Sequence, residues 1–167
     1  RGNDVMIVIM ATGITSRRSI NYKNSSSYKI NDKIAKTMKK QIEELKKDAI
    51  RSSKILGVKK IKFENFPDNE MDTISNLEVK KKIEDIIMKF QPDTIYTHSK
   101  YDINVDHRVL FNATITATRP NGKSTVKEVI SFEVPSSTEW NFPSKFSPNI
   151  FVDISKELSF KLKAIRE

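Results

Sequence analysis

The strongest constraint on this chain lies near its start. Val5 to Met10 reads V-M-I-V-I-M, an unbroken apolar run with no polar alternation. A strand wetted on one face alternates polar and apolar residues, whereas a continuous run of this kind reads as a strand buried on both faces, as in a parallel sheet covered by helices. The run passes directly into the small residues Ala11-Thr12-Gly13. In open α/β sheets, the loop that follows a strand's carboxyl end is where ligands bind.

The remaining pattern alternates in the same sense. Arg17 to Asn31 is polar and serine-rich and reads as a surface loop. Ile34, Met38, Ile42, Leu45 and Ala49 then recur at helical spacing, and Gly57 is placed to cap that helix. Lys60 to Phe66 reads as a second strand, Leu77 to Phe90 as a second helix stopped by Pro92-Asp93, and Thr94 to His98 as a third strand. A third helix is expected from about His107 to Arg119-Pro120-Asn121-Gly122. A fourth strand over Val126–Val134, a short fifth over Asn149–Ile154 and a final helix from about Ser155 complete the order. Strands alternating with helices imply an α/β class, here a Rossmann-like, doubly wound and mostly parallel sheet flanked by helices. The 167 residues suit a single domain, 1–167. The chain opens at Arg1 without an initiator Met and ends at Ile165-Arg166-Glu167 inside a helical pattern, so both ends read as cut.

Composition narrows the function classes. With 37% hydrophobic and 31% charged residues the chain is globular rather than disordered. It has no cysteine, which excludes disulfides and thiolate metal sites and fits a reducing, cytoplasmic setting. Val5–Ala11 is its longest apolar run, far short of a membrane span. The net charge of +9 raises the question of nucleic acid, but the lysines are spread over helical segments (Lys36, Lys39, Lys40, Lys46, Lys47; Lys80, Lys81, Lys82) without interleaved arginine and aromatic residues. They read as solvated helix faces, with no specific nucleic-acid partner.

The densest chemistry-bearing stretch is His98-Ser99-Lys100-Tyr101-Asp102-Ile103-Asn104-Val105-Asp106-His107, which holds both histidines of the chain. It sits between a strand and a helix. Histidines beside carboxylates suit zinc or another divalent ion, but at a helix start Asp106 also suits an N-cap and His107 an ordinary first-turn residue. His98 reads either as a supporting neighbour of a ligand or as a capped strand-end residue. Thr12, Gly13 and Arg17 read either as a substrate-pocket lining or as a tight turn with a surface arginine. Trp140 reads either as a stacking face for a ligand ring or as a loop anchor. There is no phosphate-cradling glycine loop and no G-x-S-x-G elbow.

In combination these stretches resemble the PIG-L/LmbE-like N-acetyl-sugar deacetylases. V-M-I-V-I-M-A-T-G-I-T-S-R at Val5–Arg17 is similar to the family's second strand and Thr-Gly loop. Ile55-Leu56-Gly57-Val58 is similar to the end of its first long helix. Tyr96-Thr97-His98 through Asp102-x-Asn104-x-Asp106-His107-Arg108 is similar to its second metal motif, and F-E-V-P-S-S-T-E-W at Phe132–Trp140 to a segment near the substrate pocket. The resemblance implies zinc (Zn2+) held by a His and an Asp of an N-terminal H-P-D-D motif together with His107. It implies water acidified by the metal, the other Asp of H-P-D-D as general base, and an N-acetylated sugar as substrate. It places Asn104 where many members carry a second His, makes Asp106 the carboxylate that orients His107, and leaves Asp102 and His98 as supporting neighbours. Thr12, Gly13, Arg17 and Trp140 fall on the substrate side.

No H-P-D-D occurs in the 167 residues. The expectation is therefore a domain truncated at both ends relative to the family, offering one of three zinc ligands and inactive alone. The competing reading is a non-catalytic module of the same fold that binds a sugar or nucleotide-sugar.

Overall fold

The computed structural model describes residues 2–12, 14, 32–120 and 124–167. The serine-rich stretch read as a loop, together with Gly13 and Asn121-Gly122, lies outside them. In chain order the elements are β1 (Met6–Ala11), α1 (Asp32–Ile55), β2 (Lys60–Phe66), α2 (Asn76–Phe90), β3 (Thr94–His98), α3 (Val105–Ala117), β4 (Glu128–Phe132) and α4 (Leu158–Ile165). Two 3-10 turns, Met71–Thr73 and Thr138–Trp140, were not foreseen from the sequence. No helix among the described residues is long and apolar enough to cross a membrane.

The chain divides into two compact units, 1–68 with 150–167, and 69–149. In the first, β1 pairs in parallel with β2, Met6 opposite Lys60 and Ile9 opposite Phe63, with an irregularity between Ile9 and Ala11. Met10 is buried and its β1 neighbours are half-buried. Helix α1 packs on β2 and α4. Ser52 Oγ donates to the Ala164 carbonyl at 2.8 Å, and Arg51 Nε meets Glu167 at 2.6 Å. Of the expected apolar stripe, Met38, Ile42 and Ala49 are half-buried but Leu45 is exposed. Gly57 ends this helix as its spacing suggested. At φ +75° its N–H bonds the Lys54 carbonyl, while the Val58 N–H bonds that of Ser53 at 2.9 Å, the paired pattern of a Schellman cap.

In the second unit β3 pairs in parallel with β4, in register from Thr94–Glu128 to His98–Phe132. Helix α3, the crossover between them, lies on β3 and on α2. Small buried residues, Ala113, Thr114 and Ala117, allow the close approach, and Thr97 Oγ1 and Thr114 Oγ1 meet at 3.4 Å. Ser75 caps α2 by accepting from the Leu77 N–H. Gln91 ends it in the left-handed region at φ +52°, its N–H on the Ile87 carbonyl at 2.8 Å.

The α/β class and parallel pairing are as expected. Among the described residues the strands form two two-stranded parallel pairs, one in each unit, each joined through a helix. The fifth strand expected over Asn149–Ile154 does not form among the described residues. Ile150, Phe151 and Val152 are exposed with no ladder partner, since an apolar run becomes a strand only where an edge receives it.

On exposed helices the lysines stand beside carboxylates at helical spacing, as in Lys81–Glu84 and Lys89–Asp85, both at 2.8 Å. Such pairs contribute a few tenths of a kcal/mol each.

The two left-handed caps should respond oppositely to substitution. Gly57→Ala has open space for a Cβ, so only its backbone conformation opposes it; a loss of about 1 kcal/mol is expected. Gln91→Gly should gain about 0.5 kcal/mol by the same reasoning. Urea unfolding midpoints of the two variants read both signs.

Candidate functional site

Residues 98–108 are wound by short-range hydrogen bonds. The Tyr101 N–H donates to Ser99 Oγ at 3.1 Å, and the Asp102 N–H to the Ser99 carbonyl at 3.2 Å. The Asn104 N–H donates to Asp102 Oδ1 at 2.8 Å. Asn104 then caps α3, its Oδ1 accepting from the Asp106 N–H at 2.9 Å. Arg108 reaches back from the first turn of α3, Nη1 donating to the carbonyls of Asp102 (2.8 Å) and Ile103 (2.6 Å). Ser, Asn and Asp side chains favour such local turns, and here they aim His107 back over the loop.

Asp102 is the centre of the arrangement. It is 0% exposed. Its Oδ2 accepts from His107 Nδ1 at 2.7 Å, Ser137 Oγ at 2.9 Å and Thr138 Oγ1 at 3.3 Å. Burial by itself raises the Asp102 pKa. Hydrogen bonds from His107, the Asn104 N–H and Ser137 outweigh it and hold the carboxyl below its ordinary range, so it is ionised at neutral pH.

With a carboxylate on Nδ1, that nitrogen carries the proton of a neutral His107, and Nε2 holds the lone pair. Nε2 has no hydrogen-bond partner among the described residues, and the side chain keeps 22% exposure. His98 stacks on His107 with ring centroids 3.9 Å apart and planes 17° apart, and leans on Phe132 at 4.9 Å. Burial, reinforced by His107, pushes the His98 pKa down to about 4 against the opposing pull of Asp102, so His98 is neutral at neutral pH.

Asp106 does not hold His107, and the orienting role expected of it passes to Asp102. The Asp106 carboxylate turns the other way and caps the 3-10 turn, Oδ2 accepting from the Asn69 N–H at 2.6 Å and Oδ1 from the Met71 N–H at 3.0 Å. The reason is helical geometry: side chains of neighbouring residues on a helix diverge, so adjacent Asp106 and His107 cannot share a face.

The geometry therefore gathers His98, Asp102, Asn104 and His107, all expected from the sequence, and adds Ser137, Thr138 and Arg108, which were not singled out. The sequence signal was the hydroxyl run of P-S-S-T after a strand, quoted for its resemblance alone. Thr12 directly follows β1 in the first unit, half-buried. Gly13 and Arg17 lie outside the described residues. Trp140 ends the second 3-10 turn, 60% exposed, with Phe142 at its edge 6.3 Å away. Asn141 Nδ2 ties that segment to the Tyr101 carbonyl at 2.8 Å.

His107 suits one position of a zinc site, because an imidazole with Nδ1–H on a carboxylate presents Nε2 as the donor. The described residues contain no group of three or more His, Cys, Asp or Glu side chains able to hold a metal ion. Within them the fit is that of a single ligand.

Known proteins are similar to this chain in sequence and in fold. Residues 1–118 match the family profile described as GlcNAc-PI de-N-acetylase, PIG-L. The diacetylchitobiose deacetylase of Thermococcus kodakarensis is 34% identical over 124 residues, which cover 70% of this chain and 45% of that protein. The chain thus spans less than half the length of this curated relative. Among solved structures, the N,N'-diacetylchitobiose deacetylase of Pyrococcus horikoshii superposes with a TM-score of 0.63 at 23% identity, over 98% of this chain and 58% of that one. A conserved protein of Thermus thermophilus (TM-score 0.63, 16% identity, 96% and 63% covered) and the 4-carboxy-2-hydroxymuconate hydratase of Pseudomonas putida (0.63, 18%, 96% and 65%) share the fold.

Replacing Asp102 tests the centre directly. Asp102→Ala strands two hydroxyls, a backbone N–H and the His107 Nδ1–H, and a loss of about 3 kcal/mol is expected. Asp102→Asn places an amide donor against other donors and should recover less than half of that. Urea midpoints at unchanged m-value are the measurement.

Proposed function

The chain belongs to the GlcNAc-PI de-N-acetylase (PIG-L) family, and from that premise we propose that it serves the zinc-dependent hydrolytic deacetylation of an N-acetylated amino sugar or its conjugate. The observation that carries the reading is His107, held at Nδ1 by buried, ionised Asp102 so that Nε2 is the donor nitrogen. The deacetylase relative at 34% identity supports the same chemistry. The hydratase of like fold shows why fold alone does not decide the reaction.

In this reading His107 is one of three zinc ligands. Bound zinc would supply an acidified water and polarise the acetamide carbonyl. Asp102 fixes the orientation and tautomer of the His107 ring. His98, neutral and stacked on it, closes one ring face to water. Asn104 retains an uncharged donor, Nδ2, while its Oδ1 caps α3. Asp106 contributes by anchoring the start of α3. Thr12, Gly13 and Arg17 contact the substrate, and the exposed Trp140 indole offers a stacking face to a sugar ring. Likeness of fold over 96–98% of the chain supports a single α/β domain with a doubly wound, Rossmann-like sheet.

The 167 residues lack H-P-D-D, so by themselves they should release no acetate from N,N'-diacetylchitobiose with zinc present. Joined behind a family first strand bearing H-P-D-D, the chain should turn over. His107→Ala should then lower kcat/KM by more than about 100-fold, beyond what loss of an outer partner costs. Robust turnover by the 167 residues alone would overturn the assignment of the missing ligands. Sugar binding without acetate release from the joined protein would move the chain to the binding-module reading.

A further inference from the structure

Asp102 is held from a second direction, by a segment that follows β4. The Val134 carbonyl accepts from the N–H groups of Ser137 (2.9 Å) and Thr138 (2.7 Å), which winds residues 134–138 into a turn. In return the Val134 N–H donates to Thr138 Oγ1 at 2.9 Å. A hydroxyl has one proton. With its oxygen already accepting from Val134, the Thr138 hydroxyl directs that proton to Asp102 Oδ2 at 3.3 Å. Ser137 sends its own to the same oxygen at 2.9 Å. Both residues are buried.

Buried hydroxyls most often satisfy themselves on backbone carbonyls. Here two of them converge on the single carboxylate oxygen that holds His107 Nδ1. Oδ1 is meanwhile fixed by the Asn104 N–H. The carboxylate can neither rotate nor slide without losing donors on both sides. The same strand also closes the other side of the ring pair, since Phe132 at the end of β4 lies against His98, which lies against His107.

We propose that Ser137 and Thr138 are positioning residues for the reaction, which through Asp102 set the tautomer and orientation of the His107 imidazole. The inference rests on the reading of His107 as a metal ligand, but its geometry is complete within residues 98–138. The hydroxyls act before any metal arrives, by keeping the proton on Nδ1, directed at Asp102, and the lone pair on Nε2. Loss of either hydroxyl frees the carboxylate to turn, and the Nδ1 proton then exchanges with water more often.

The test is NMR of the 167-residue chain without metal, with 15N-labelled histidine. In the unmutated protein the His107 Nδ1 proton should give a low-field signal, with Nε2 unprotonated and a nuclear Overhauser contact to the Ser137 hydroxyl proton. Ser137→Ala should speed exchange of that Nδ1 proton with water on the order of tenfold, one hydrogen bond's worth. Thr138→Val should act in the same direction, and Ser137→Thr should restore slow exchange. A merely structural role predicts a lower melting temperature with the tautomer and the exchange rate unchanged, and that result in a folded Ser137→Ala protein overturns the proposal. Should the alanine variant fail to fold, a missing Ser137–His107 contact in the unmutated chain overturns it equally. Because no readout uses acetate release, failure of the deacetylase reading would appear separately, in the turnover experiment on the joined protein.

Discussion

A buried carboxylate cannot stay charged unless its surroundings replace the water it has lost. Asp102 is fully enclosed, and an unpaired charge there would cost several kcal/mol. Four donors answer that cost: the Asn104 N–H, the His107 Nδ1–H and the hydroxyls of Ser137 and Thr138. They come from the loop after β3, the first turn of α3 and the turn after β4. One carboxylate thus binds three pieces of chain that are up to 36 residues apart. The local winding of residues 98–108 and the turn at 134–138 both follow from the need to bring donors to it.

A second carboxylate divides the labour. Asp106 lies only four residues further on, yet serves the backbone N–H groups of Asn69 and Met71 and so fixes where the chain enters α2 relative to α3. The pair illustrates how helix geometry assigns roles. Asp102 precedes the helix and folds back over its first turn, where it reaches His107. Asp106, one position before His107, is carried to another face. Neither carboxylate is spare, and the imidazole that Asp102 holds acquires a definite tautomer as a consequence.

On one face of His107 the structure places uncharged rings. His98 is kept uncharged by burial beside it, and Phe132 backs the stack. A protonated neighbour would oppose a cation at Nε2, so the low pKa of His98 suits the proposed role of His107. Several of the chain's lysines lie on helices beside carboxylates, as in Lys81–Glu84 and Lys89–Asp85, whereas Arg108 is tied into the loop that carries the site.

Much of the architecture was legible from pattern. The span of β3, Thr94–His98, and that of β2, Lys60–Phe66, came directly from residue type and punctuation, as did the cap at Gly57, because periodicity and glycine's freedom at positive φ are local properties. The candidate site was legible as a cluster, His98 to His107, since its members are close in sequence. The sequence by itself also set which residue types stand ready for chemistry: one histidine pair, nearby carboxylates, no thiols and no H-P-D-D. Tertiary structure alone decided which carboxylate meets His107, that hydroxyls 30 residues downstream of it complete the arrangement, and that the apolar run at 150–154 forms no strand among the described residues. The physical reason is that hydrogen-bond partnership and ladder pairing depend on which distant groups arrive at the same place, whereas periodicity reports only which way each residue faces along its own element.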